Sequence, residues 1–219
     1  MDWISILGTI SIWIILLPFI IGIILFKSLN KDSKLILLVV VCGAIPQVLR
    51  PFINNTSFLN IVYNLYTPLE FLIYWILFRE KILHSKRRNL LNSIVVLFLI
   101  VSLYLVIYYG IQARFLNEWV IISNIFQIIF ICICLLEFYY SEETTIELSQ
   151  PFFWFLAGIT FYASCTSVFF SLWFFIKNND NQEFLILNLI HHVFNIFLYI
   201  FFSIGLLKNG TIFRGAKHE

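Results

Sequence analysis

The chain has 219 residues, of which 61% are hydrophobic and 12% charged, and its mean hydropathy is +0.93. A soluble domain carries about a quarter charged residues, so this composition excludes an aqueous fold and makes lipid the solvent. A net charge of +2 offers nucleic acid too little to hold, and no such partner is expected.

A spanning helix needs about 20 mostly apolar residues. Seven runs qualify: 3–26, 35–53, 59–78, 90–109, 119–140, 152–176 and 184–207. The first is too long for a signal-peptide core and has no basic residue before it, so it reads as a retained helix. Pro46, Arg50, Pro51 and Pro68 interrupt the second and third. The loops between runs are short. The fold class expected is all-α, a seven-transmembrane-helix bundle forming one membrane domain over residues 1–219. Its immediate partner is the lipid bilayer.

Lys and Arg set the orientation of such a bundle. Eleven of the 14 fall on one side, among them Lys27, Lys31, Lys34 and the cluster from Arg79 to Arg88. Arg50, Arg114 and Lys177 fall on the other. The basic side is expected in the cytoplasm. The N-terminus then lies outside and the C-terminus inside.

Cys42, Cys132, Cys134 and Cys165 all sit within apolar runs and read as small hydrophobes. No Cys/His spacing matches a zinc site. No cofactor or metal is expected.

An ionisable or amide side chain in hydrocarbon is costly and usually faces the bundle interior. At 100° per residue, Asn188, His191, His192, Asn195, Tyr199 and Ser203 share one arc of the seventh run. Asn60, Tyr63, Asn64, Thr67, Glu70 and Tyr74 share one on the third. Ser123, Gln127, Cys134 and Glu137 align on the fifth, and Gly43, Gln47 and Arg50 on the second. The sixth contributes Thr160, Ser164, Ser167 and Ser171. The first and fourth runs are poor in polar residues and are expected to face lipid. By helical rise, Glu70 lies roughly 16 Å down its run and His191 about 10 Å down its own. Most of this polar set falls in the outer half, as a pocket open to the outside would require.

The candidates for ligand binding or proton relay are Glu70, His191, Asn195, Gln127, Tyr66, Asn64, Arg50 and His192. A mid-membrane carboxylate must be protonated, paired or hydrated. Glu70 with His191 could form a buried bond that titrates near neutral pH. Plainer roles compete. Arg50 can snorkel to head groups. Glu137, near the cytoplasmic end, reads as solvated. The Ser and Thr of the sixth run serve packing, and the 79–88 loop can serve topology alone.

The stretches Tyr66-Thr-Pro-Leu-Glu70, Phe153-Trp154-x-x-x-Gly158, Ile190-His191-x-x-x-Asn195 and Ile204-Gly205-Leu206 carry a resemblance. The chain resembles the short uncharacterised multi-pass membrane proteins common in Bacteroidetes. The corresponding positions are Tyr66, Glu70, Trp154, Gly158, His191 and Asn195. The resemblance implies a fold and a bacterial inner membrane, and no mechanism. Better-known seven-helix families fit poorly. A retinal protein needs a lysine inside the last helix, where none precedes Lys208. A membrane zinc hydrolase needs three ligands at depth, where only His191 and His192 are available.

These features favour a non-enzymatic sensor or accessory subunit, holding an unknown small ligand and answering to a separate signalling protein. The 79–88 loop is one place for that contact. The alternative is a small-solute or proton-coupled transporter. A third reading, an intramembrane enzyme, lacks a catalytic set. The orientation is directly testable. A cysteine at Asn179 should label from outside without permeabilisation, whereas one at Ser85 should require it. The reverse pattern would invert the topology, and equal labelling would break the count of seven.

Overall fold

The computed structural model describes residues 3–50, 52–140, 147–176 and 181–215, with side chains within 6–50, 52–140, 147–172 and 189–209. Lys177 and Asn179 and the Asn188 side chain lie outside the described set. Among the described residues there is helix and no strand, and seven helices are long and apolar enough to cross a membrane.

The first span is broken, not continuous as expected. It consists of α1 (Trp3–Trp13) and α2 (Leu16–Ile24). Pro18 is the cause. It has no N–H, and its ring crowds the carbonyl four residues back. That carbonyl, on Ile14, instead accepts the Leu17 N–H at 3.0 Å, a tighter turn. A short 3-10 turn at Phe26–Ser28 follows. Helix α3 (Lys31–Leu49) starts four residues before the expected run, because the Asn30 carboxamide accepts the Ser33 N–H at 2.9 Å and caps it. It stops at Leu49 because a residue before proline, here Arg50 before Pro51, disfavours helix.

Asn55 caps α4 (Thr56–Arg79) by accepting the Phe58 N–H at 3.2 Å. Helix α5 (Ser85–Tyr109) includes the basic residues left outside the expected span, and Gly110 ends it at φ +77°, a conformation that favours glycine. Helices α6 (Asn117–Tyr140) and α7 (Pro151–Ile176) match their expected runs within two residues. Pro151 opens α7, where its missing N–H costs nothing. Helix α8 (Asn181–Gly215) overruns the expected 184–207 at both ends. Hydropathy marks the apolar stretch, and a helix continues past it wherever the main chain can keep bonding.

The chain divides into two compact units. One comprises Met1–Val41 and Ile146–Glu219, the other Cys42–Thr145. In the first, α8 runs against α7, α1 and α2. Gly205 lies so close to the Phe155 ring, itself fully buried, that an added Cβ would overlap it. In the second, α4, α5 and α6 pack on one another around an aromatic core. The Phe71 ring lies 3.9 Å from Phe98 and 5.2 Å from Phe130, and all three are fully buried. The outer faces are apolar. Leu17, Ile20, Ile23 and Ile24 are exposed on α2, as are Leu97, Ile100, Leu103 and Ile107 on α5. Contiguous exposed apolar faces of this kind suit lipid and not water.

Gly205→Ala should destabilise the α7–α8 pair by about 1–3 kcal/mol, the cost of overpacking a filled core. Thermal melting in detergent reads it. Phe155→Leu in the same chain should recover part of the loss.

Candidate ligand and proton site

In Cys42–Thr145, the polar face of α4 carries three distinct arrangements. Nearest the start of the helix, Asn64 is 1% exposed and fully engaged. Its Nδ2 donates to the carbonyls of Ile111 at 2.8 Å and Arg114 at 2.9 Å, and its Oδ1 accepts the Leu116 N–H at 3.0 Å. Three bonds from one carboxamide fold the α5–α6 turn. In that turn, Arg114 pairs with Glu118 and lies over the Tyr109 ring at 4.3 Å. Donating to the Glu118 carboxylate raises the Arg114 guanidinium further above its ordinary range. Arg50 is exposed and hydrogen-bonds to Tyr63.

Further along, Tyr66, Glu70 and Tyr74 stand four residues apart, one above another on one helix face. The Tyr74 hydroxyl donates to Glu70 Oε1 at 3.2 Å, and the Tyr66 hydroxyl also bonds to the carboxylate. Tyr74 is 2% exposed, and Glu70 is half-buried. Both partners are neutral. Among the described residues no cation pairs with Glu70. On α6, Gln127 is buried and donates from Nε2 to Ser123 Oγ at 3.0 Å, a bond within its own helix.

In the other unit, α8 carries His191, His192 and Asn195. The His191 ring stacks on Phe169 at 4.8 Å and 18°, with Phe170 and Tyr162 beyond. Its Nδ1 is buried with no hydrogen-bond partner. His192 lies against Gly8, where an added Cβ would sit 3.5 Å from Nε2. Asn195 Nδ2 donates to the Ser11 carbonyl and to Ser11 Oγ, each at 3.1 Å, close to the break between α1 and α2. Glu70 and His191, paired in expectation, belong to different units.

Two residues outside the candidate set, Glu137 and Asn209, prove central. Glu137 was expected to be solvated and is instead 5% exposed. Its Oε1 accepts the N–H groups of Leu83 and His84, each at 3.1 Å, and its Oε2 meets Arg87 at 2.8 Å. The signal was available: an acid near the end of α6, at the level of a basic loop. Asn209 is also buried. It donates to the Ser28 carbonyl at 2.7 Å and accepts the Asn30 N–H at 3.4 Å. The hydroxyls of Thr160, Ser167 and Ser171 bond back to carbonyls of α7 itself, each at 2.7 Å. Among the described residues, no three His, Cys, Asp or Glu side chains gather as metal ligands. No protein-family profile, curated protein or solved structure matches the chain.

Asn64→Ala would strand two carbonyls and a buried N–H in the α5–α6 turn. The expected loss is about 1–3 kcal/mol for each buried group left unpaired. Amide hydrogen exchange across residues 111–116 should accelerate, while α8 exchange stays unchanged. Protection of 111–116 equal to that of the parent chain would deny Asn64 its anchoring role.

Proposed function

We propose that this chain is an integral membrane protein of seven spans, N-terminus outside and C-terminus in the cytoplasm, working as a non-enzymatic sensor or accessory subunit. In this reading it sits in a bacterial inner membrane, as the resemblance to Bacteroidetes multi-pass proteins implies, and reports to a separate signalling protein. The observation that carries the sensing role is the Tyr66–Glu70–Tyr74 face. Its carboxylate has hydroxyl partners and no cation within the described residues. A carboxylate at membrane depth needs its charge balanced. A proton, a metal cation or a small amine arriving there supplies the balance and changes the energy of the whole face. Asn64, on the same helix, is committed to holding a turn. One responsive group on a tied scaffold suits detection better than it suits turnover.

Transport is the second reading, and the break at Ile14–Ile15 favours it. Transporter sites use interrupted helices, but the interruptions expected at Pro46 and Pro68 do not occur, since α3 and α4 run through both prolines.

Glu70→Gln tests the sensing role. The variant should remain folded, inserted and monodisperse, because an amide can accept from the same two tyrosines. The parent chain's melting temperature should rise with sodium, potassium or ethylammonium, or shift with pH, since a ligand of the folded state stabilises it by mass action. Glu70→Gln should lose that response. A stable variant that responds as the parent does would remove Glu70 from the site. Uptake of the same cation into proteoliposomes would favour the transport reading.

A further inference from the structure

The end of α4, the turn after it and the start of α5 carry Arg79, Lys81, His84, Lys86, Arg87 and Arg88, with Glu80 as the sole acid between them. Like charges packed this closely repel, and a flexible loop would spread them apart. This loop is held. Buried Glu137 grips the main chain of Leu83 and His84 and neutralises Arg87. The Arg87 guanidinium also lies over the Tyr140 ring at 5.0 Å, and Arg79 lies over Trp75 at 5.6 Å. With the turn fixed, Arg79, His84, Lys86 and Arg88 project outward and are exposed.

Their surroundings are those of a membrane boundary. Leu83, at the tip, is 67% exposed, and Tyr139 and Tyr140 at the end of α6 are 81% and 66% exposed. An exposed leucine and two tyrosines among cations would be poor company for bulk water. At the headgroup layer, aromatic rings and basic side chains are at home together, with apolar parts in the acyl region and charges in the headgroups. The partner that offers negative charge and an apolar body at once is an anionic phospholipid.

We propose that the exposed cations around the Glu137-clamped turn, Arg79 at the end of α4 and Lys86 and Arg88 at the start of α5, form a binding surface for the headgroups of anionic phospholipids. The site rests on the reading that α4, α5 and α6 span the bilayer. It assigns the basic loop a ligand as well as a part in orientation. The clamp is what separates it from diffuse charge attraction, because Glu137 is negative and yet helps to build the site.

The test uses the full chain in neutral detergent and measures binding of phosphatidylglycerol against phosphatidylethanolamine of the same acyl chains. Binding in detergent does not depend on which side the loop faces, so labelling at Ser85 tests topology separately. Phosphatidylglycerol should bind more tightly. Each Lys or Arg near an anionic surface contributes about fivefold, so the double variant Lys86→Gln/Arg88→Gln should weaken it by about 25-fold. Lys27→Gln/Lys34→Gln, which removes the same charge elsewhere, should change it by less than about threefold on the same basis. Glu137→Gln, despite adding net positive charge, should also weaken it. Inorganic phosphate should fail to displace the lipid, and displacement would mean that the site takes a free anion instead. Equal binding of the two lipids, or equal losses in the two double variants, would overturn the proposal. Tighter binding by a folded Glu137→Gln variant would overturn the clamp.

Discussion

Hydrocarbon cannot hydrogen-bond a peptide group, and in a chain with seven helices apolar enough to cross a membrane that constraint governs the helix ends, breaks and turns. Helices satisfy their own interiors. Their ends, breaks and turns do not, since several N–H and C=O groups at each terminus lack intrahelical partners. Here long-range buried side chains supply them. Asn195 takes the carbonyl of Ser11 near the break in the first span. Asn209 takes Ser28 and Asn30 at the turn into α3. Glu137 takes the α4–α5 turn, and Asn64 takes the α5–α6 turn. Each tie reaches from mid-helix or helix end to main chain far away in sequence. Short turns can therefore sit against the bundle without leaving orphaned groups.

Glu70 breaks this pattern. It bonds to hydroxyls on its own helix and secures no turn. Removing it would leave no stranded main-chain group, so folding does not account for its place on α4. That contrast, more than its depth, sets it apart from the other polar residues of the interior. Gln127 resembles it in bonding within its own helix but carries no charge to balance.

The sequence reveals the spans readily, because apolar runs of about 20 residues have few alternatives. It also places Asn64, Glu70 and Asn195 on polar faces, since helical periodicity fixes direction. It does not reveal what those side chains bind. Their partners are main-chain groups, which every residue owns, so nothing in the letters at 83, 111 or 114 marks them as acceptors or donors. Glu137 was misread for that reason. The break at Ile14–Ile15 was legible through Pro18 but hidden by an unbroken run of isoleucine and leucine. The length of α8 was hidden because hydropathy reports where lipid ends and not where helix ends.

A ligand site at Glu70 requires that water reach the Glu70 face of α4 and not its apolar neighbours. The direct measurement is thiol accessibility in intact membranes, in a chain whose Cys42, Cys132, Cys134 and Cys165 are replaced. A membrane-impermeant thiol reagent added from outside reacts only where water ionises the thiol. Leu69 is exposed on the apolar surface of the same helix and provides the comparison. Glu70→Cys should react and Leu69→Cys should not. A folded Glu70→Cys variant as inert as Leu69→Cys would contradict it.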